Sequence, residues 1–124
     1  MGVQNLIVMR RDTKRVIDED PWTVVVYRKG RTPDDAETTW TFTGRLTPAI
    51  SRGVLPLNPL GMPGEHGETR YGWVLLTEWD VARIKSGDEV RATQVSTSFE
   101  RNFVTFHGMQ YAYKQEVIVD ERQA

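Results

Sequence analysis

Few residues of this sequence have the type and spacing that acid–base chemistry requires. The chain has two histidines and no cysteine, which excludes a thiol nucleophile and every thiolate metal site. His66 lies in a glycine-rich stretch and His107 in a predicted turn. Neither is near a serine in a strand–turn–helix elbow. We therefore predict no catalytic residue and interpret both histidines as polar surface residues.

One short run has side chains that can contact a cation. Glu65, His66 and Glu68 place one imidazole between two carboxylates. A structural zinc site has four ligands, however, and the chain offers no cysteine and only one further histidine. The sequence therefore predicts no metal site, and nothing in it indicates a cofactor.

A basic cluster near the start of the chain is a candidate for partner docking. It consists of Arg10, Arg11, Lys14 and Arg15, and the last three are spaced to share one helical face. Two interpretations are open. The cluster is either a solvated face beside the acidic residues 18–20, or a docking site for an acidic partner surface or for nucleic acid that passes nearby. Proteins that bind single-stranded nucleic acid combine cations with aromatic side chains on which the bases stack. No aromatic residues interleave with these four cations.

Length and charge limit the class of protein. A chain of 124 residues fits one domain, 1–124. The net charge of −1 divides into +3 over residues 1–31 and −4 over the rest, which argues against bulk non-specific binding of nucleic acid. The apolar runs are far shorter than the about 20 residues of a membrane span, so we expect no membrane partner.

The elements that position these residues are mostly strands. A helix is predicted over 10–20, because Thr13, Val16 and Ile17 fall on one helical face and Pro21 disfavours the helical conformation before it. Strands are predicted over 22–28, 39–43, 73–76, 89–95, 103–106 and 111–119. In the second of these, Trp40 and Phe42 alternate with threonines.

Two turns are predicted from local signals. Thr77 and Asp80 resemble a capping box, which predicts a short helical turn through Ile84. Residues 107–109 predict the tight turn of the last hairpin. Five or six strands with little helix predict an all-β fold, a small antiparallel barrel or sandwich with a short N-terminal helix.

A long segment rich in proline and glycine, residues 44–69, interrupts the strands. No hydrophobic period runs through it, and so long a stretch inside a compact domain is usually functional or mobile. Its apolar residues are too many for a solvated linker, which suggests that it packs against a partner. They are Ile50, Val54, Leu55, Leu57, Leu60 and Met62.

The order of these features resembles a known family. A short basic helix leads into an apolar strand, 22–28, and a long loop follows it. Then come residues 72–76, a turn that ends in Lys-Ser-Gly-Asp at 85–88, and a closing hairpin with Gly-x-x-Tyr at 108–111. This layout covers most of the chain and resembles the head-to-tail stopper, or head-closure, proteins of long-tailed bacteriophages.

The resemblance implies a structural role without enzymatic activity. Family members form a ring, by resemblance a hexamer, in the neck of the virion after assembly in the host cytoplasm. Such a ring contacts the portal or adaptor and the tail-terminator protein, and packaged DNA occupies its channel without sequence-specific binding. Some members close the channel with a loop. By position, residues 44–69 would be that loop, and its six apolar residues would be the gating residues.

Two alternative functions stay open. One is another neck protein of similar build, such as a tail terminator or an adaptor. The other is a small oligonucleotide-binding β-barrel. A free nucleic-acid binder should have a basic groove, whereas residues 32–124 sum to −4. A channel ring tolerates neutral or acidic walls, because DNA slides through it.

Overall fold

One helix and six strands form the part of the chain that the computed structural model describes, residues 3–30, 32, 37–48 and 72–122. The helix is α1 (Val3–Glu19). The strands are β1 (Trp22–Arg28), β2 (Thr38–Pro48), β3 (Gly72–Glu78), β4 (Glu89–Gln94), β5 (Glu100–Gln110) and β6 (Lys114–Glu121). Within these residues, no helix has the length and hydrophobicity of a membrane span.

The strands close into an antiparallel barrel in the order β1-β2-β3-β6-β5-β4. Strand β1 pairs with both β2 and β4, so Trp22 lies opposite Gly44 on one side and Gln94 on the other. The pairing of β3 with β6 completes the barrel. The predicted all-β fold is confirmed, and of the barrel and the sandwich it is the barrel that forms. Closure pairs the backbone groups that an open sheet leaves at its edges.

Alternation along the strands separates a packed interior from an outer face. In β2, Trp40 and Phe42 pack against the core while the neighbouring threonines are exposed, as predicted. The interior is filled by apolar side chains from all six strands, and each leucine-sized side chain that is fully buried contributes about 1.5–3 kcal/mol. Its buried members include Trp22, Val24, Val26, Leu46, Leu75, Val90, Phe103, Val117 and Val119.

Helix α1 packs on the outer face of β2 and β3. Thr13 and Ile17 are buried, four residues apart on one helical face. The helix begins at Val3, so the predicted range of 10–20 was too short. Residues 3–9 contain neither glycine nor proline, so nothing in them interrupts the helix. Leu6 is half-buried and lies about two turns before Thr13 on the same helical face.

Strand β2 continues through Pro48. The prediction that residues 44–69 form one loop was therefore wrong for residues 44–48. A Cβ atom at Gly44 would lie 2.9 Å from the carbonyl oxygen of Leu76. This glycine permits a close approach of two strands and does not mark a flexible connection. The rest of the predicted loop lies outside the described residues.

The two predicted turns are also corrected. The Thr77 side chain is buried in β3 and accepts a hydrogen bond from Gln115 Nε2 at 3.2 Å, so it caps no helix, and residues 79–88 contain none. Residues 107–109 belong to β5, and the hairpin turns at 111–113. Gly108 serves close packing, because a Cβ atom there would lie 2.5 Å from the carbonyl oxygen of Ile84.

Candidate interaction surfaces

The basic residues of α1 are separated by their contacts. Arg10 turns towards the barrel, where its guanidinium lies 3.6 Å from the centre of the Trp79 ring. Its Nε donates a hydrogen bond to the carbonyl oxygen of Ala112 at 3.0 Å. Arg10 therefore attaches the helix to the β5–β6 turn and does not belong to a free basic face.

The other three cations of the cluster lie on the solvent side of α1. Lys14 is 3.5 Å from Asp18, and Arg15 is 4.0 Å from Asp12. Arg11 is exposed and has no ion pair among the described residues. Acidic side chains thus interrupt the positive charge, and the four predicted docking residues do not form one continuous cationic surface.

Most of the other residues discussed as possible site residues lie outside the described part of the chain. The six apolar gating residues, Ile50, Val54, Leu55, Leu57, Leu60 and Met62, lie outside the described residues, as does the run 65–68. His107 is exposed on β5. Within the described ranges, no three His, Asp or Glu side chains are grouped closely enough to hold a metal ion.

Large exposed apolar side chains occur on α1 and just after β3, and also along β5 and in the turns at its two ends. The first group, which we call the helix surface, consists of Ile7, Val8, Val16 and Trp79, which are 37–49% exposed. The second group, the β5 surface, consists of Val95, Phe99, Phe106, Met109 and Tyr111, which are 38–58% exposed. The helix covers β2 and β3, which are separated from β5 by β1 and β4 on one side and by β6 on the other. The helix surface and the β5 surface therefore lie on different elements, and Arg10 links Trp79 of the first to Ala112, which is next to Tyr111 of the second.

Hydrogen bonds around Gln94 hold the β4–β5 turn, residues 95–99. Its Nε2 donates to Asp20 Oδ1 at 2.8 Å, and its Oε1 accepts from the Thr97 hydroxyl at 2.7 Å. Ser98 has a φ of 61°, in the left-handed region that costs a non-glycine residue about 1–2 kcal/mol. The turn thus holds the exposed side chains of Val95 and Phe99 in one defined position.

Arg101 fixes Phe99 from the other side. Its guanidinium lies 4.8 Å from the ring centre of Phe99 and 4.8 Å from that of Trp73, and it also forms an ion pair with Glu121. A cation between two aromatic rings is attracted by both, at about 0.5–1 kcal/mol for each exposed contact. Phe99 is consequently a rigid, exposed aromatic side chain at this end of the barrel.

Phe106 is an exposed aromatic residue at an irregularity in β5. The pairing of β5 with β6 shifts register between Thr105 and His107, which leaves Phe106 as the extra residue of a bulge. Its side chain is 58% exposed. Alternation from the buried Phe103 and Thr105 places Phe106 on the outer face of β5, and the bulge leaves it without a paired residue in β6.

An open groove of about 750 Å³ crosses the outer face of β1 and β4. On its floor, a hydrogen bond to Glu37 raises the pKa of Tyr27 above its ordinary value, with burial as a further cause, so the phenol stays protonated. Arg122 pairs with Glu89, and Arg91 lies 3.6 Å from Glu100. These four charges are paired with each other, whereas Lys29, which also lines the groove, has no ion pair among the described residues.

The end of β1 is tied to the turn before β4 by a nearly buried ion pair. Arg28 donates to both carboxylate oxygens of Asp88, at 2.9 and 2.7 Å, and the Asp88 side chain is only 5% exposed. The hydrogen bonds to Asp88 raise the pKa of Arg28 above its ordinary value. This pair holds the turn at 85–88 against the barrel.

No family model, curated protein or solved structure matches this chain. Phe99 and Phe106 were not identified as exposed aromatic residues from the sequence. A signal for Phe106 was present, because Phe103 and Phe106 are three residues apart and fall on opposite faces of an extended strand.

Proposed function

We propose that this chain is a structural, non-enzymatic protein in the neck of a long-tailed bacteriophage. Copies of it form a ring between the portal or adaptor and the tail, which closes the DNA channel and joins head to tail. The order of elements supports this proposal. The helix comes first, a long connection between β2 and β3 interrupts the strands of the barrel, and the β5–β6 hairpin closes the chain. The head-closure proteins that the sequence resembles have the same order.

The observation that carries the proposal is that large apolar side chains are exposed on two different elements, α1 and β5. In a ring of identical copies each contact is heterologous, so every copy uses two different surfaces. Soluble monomers limit their exposed apolar area, and ring closure buries such area on both sides of each copy. A contact between the helix surface of one copy and the β5 surface of the next copy would satisfy this requirement.

The charges of the barrel wall favour a ring over an oligonucleotide-binding barrel. Arg91, Arg101 and Arg122 lie on strands β4 and β5 and just after β6, and each is paired with a glutamate. Binding to nucleic acid depends on cations that are free to replace the counterions of phosphates. Binding of single-stranded oligonucleotides to the isolated chain with strong salt dependence would favour the oligonucleotide-binding barrel over the ring.

The decisive experiment locates the chain in assembled particles and then removes it. We expect density for a ring of this barrel at the head–tail junction, and heads without tails or DNA when the chain is absent. Complete, filled particles in its absence would contradict the proposal. The neighbours seen in the particle also separate a stopper from a tail terminator or an adaptor.

The channel-gating role of the six apolar residues within 50–62 stays a prediction. Replacing residues 50–62 with a short Gly/Ser linker should leave neck rings that assemble and heads that lose their DNA. If the heads stay full and attach tails normally, these residues are not the gate.

A further inference from the structure

Within the described part of the chain, the end of the barrel where β1 ends and β4 begins carries three cations that form no ion pair. Lys29, Arg83 and Lys85 are exposed, and none of their side chains forms an ion pair among the described residues. Arg28 differs from them because Asp88 neutralises it. We call Lys29, Arg83 and Lys85 the basic end surface.

The backbone beneath these cations is held in place. Arg28 Nη2 donates to the carbonyl oxygen of Arg83 at 3.0 Å, and the amide of Lys85 donates to Asp88 Oδ2 at 2.8 Å. The amide of Gly87 donates to the carbonyl oxygen of Thr105 at 2.9 Å. Since the loop is already ordered, a partner that binds here loses less free energy to ordering of the chain.

Among the described residues, no acidic side chain forms an ion pair with these three cations. Glu37 is hydrogen-bonded to Tyr27, Asp88 pairs with Arg28 and Glu89 with Arg122. The basic end surface therefore keeps its positive charge, in contrast to the helical cluster, where acidic residues alternate with the basic ones.

Aromatic groups border the basic end surface. The ring of Trp40 lies 5.1 Å from the Arg28 guanidinium. The exposed Phe106 follows Thr105, which is hydrogen-bonded to the 87–88 backbone. Arginine and aromatic side chains are enriched in protein–protein interfaces. DNA affinity instead grows with the number of phosphates contacted, and three cations in a chain of net charge −1 provide little of it.

We propose that the basic end surface binds an acidic surface of a partner protein. The proposal rests on the proposed function only for the identity of that partner, a neighbour in the neck. Complementary charge across such a contact speeds association and selects the partner.

The test measures binding of a fluorescein-labelled oligoglutamate peptide to the full chain at low salt. The wild type should bind it, and the triple variant Lys29→Glu, Arg83→Glu, Lys85→Glu should bind at least about tenfold more weakly. The matched control, Arg11→Glu, Lys14→Glu, Arg15→Glu, changes the net charge equally and should bind like the wild type. Thermal unfolding verifies that both variants fold.

Three results would overturn the inference. They are an absence of wild-type binding, an equal loss of binding in the two variants, and tighter binding of a duplex DNA of equal charge than of the peptide. The last result would assign this surface to nucleic acid. Because the measurement uses the isolated chain, its failure leaves the ring proposal standing, and failure of the ring proposal leaves this result unaffected.

Discussion

At the scale of single residues, polar groups inside the barrel specify how its connections attach. Asp88 accepts hydrogen bonds from Arg28 and from the amide of Lys85. Gln115 is fully buried; its Oε1 accepts from the amide of Ile84 at 2.7 Å and its Nε2 donates to the Thr77 hydroxyl. These two residues attach the 79–88 connection to β1 and to β6.

Removal of the Asp88 carboxylate should strongly destabilise the fold. The change Asp88→Ala leaves Arg28 without its counter-charge and the Lys85 amide without an acceptor, at a cost of about 1–3 kcal/mol, because water partly solvates the one-third-exposed Arg28. The control Glu100→Ala breaks the exposed pair with Arg91 and should cost less than about 1 kcal/mol. Urea unfolding measures both, and equal losses would show that the pair is no more than a surface contact.

The charged form of Arg28 should stabilise the protein throughout the neutral range. Because Asp88 raises its pKa, this contribution is complete below the pKa of the unfolded chain and is lost only as the pH rises through the folded value. Between mildly acidic and mildly alkaline pH, the contribution of Arg28 to the free energy of unfolding should therefore stay constant. To test this, unfolding midpoints of the wild type and of Arg28→Met are measured across this pH range. A difference between the two midpoints that changed with pH would contradict the prediction.

Gln115 provides a second test at this scale. Gln115→Met preserves the length of the side chain but leaves the buried Ile84 amide unsatisfied, which should cost about 1–3 kcal/mol of unfolding free energy. Gln115→Glu keeps an acceptor for that amide but removes the donor to Thr77. Both variants should unfold at lower urea concentration than the wild type, and a Gln115→Met protein as stable as the wild type would refute the role of this hydrogen bond.

At the scale of elements, glycines in strands allow backbones to approach each other. Gly108 in β5 faces the carbonyl oxygen of Ile84, whereas at Gly72 in β3 an added Cβ atom would meet its nearest neighbour at 3.8 Å. The first position is too close for any larger side chain, and the second is in ordinary van der Waals contact. The same residue type therefore has different structural roles in the two strands.

The two glycines form a matched pair of substitutions. Gly108→Ala should destabilise the protein by about 1–3 kcal/mol, because β5 and the 79–88 connection must separate. Gly72→Ala should change the unfolding free energy little or raise it slightly, since the added methyl group fits and the unfolded chain loses freedom. Thermal unfolding midpoints of both variants are compared with that of the wild type. A Gly108→Ala variant with an unchanged midpoint would contradict the close contact between Gly108 and Ile84.

At the scale of the whole molecule, the two apolar surfaces should determine assembly and not folding. Phe106→Ser removes an exposed side chain and should change stability by no more than about 0.5 kcal/mol, while incorporation into particles is lost. Phe106→Leu keeps an apolar group and should restore incorporation at least in part. Complementation of particles that lack the chain measures both, and normal assembly with Phe106→Ser would exclude the β5 surface from the ring contact.

Much of the fold follows from the sequence alone. The run of β-branched and aromatic residues at 22–28 predicts β1 with its observed bounds, and the alternation of Trp40 and Phe42 with threonines predicts which face of β2 packs inwards. These signals are local, because the conformation of an extended strand places alternate side chains on opposite faces whatever lies around them. They were sufficient for the all-β class.

Other features were decided only by tertiary contacts. The glycines at 44 and 108 are signals of loops and turns in sequence, yet both lie in strands, because a backbone from a distant part of the chain approaches each of them. The sequence does not specify what the four cations of α1 contact, and in the structure Arg10 lies against Trp79 and donates a hydrogen bond to Ala112. Meanwhile Lys29, which is far from Arg83 and Lys85 in sequence, comes to the same end of the barrel as these two residues. Charge and close packing depend on which distant groups meet in space, and only the closed barrel determines that.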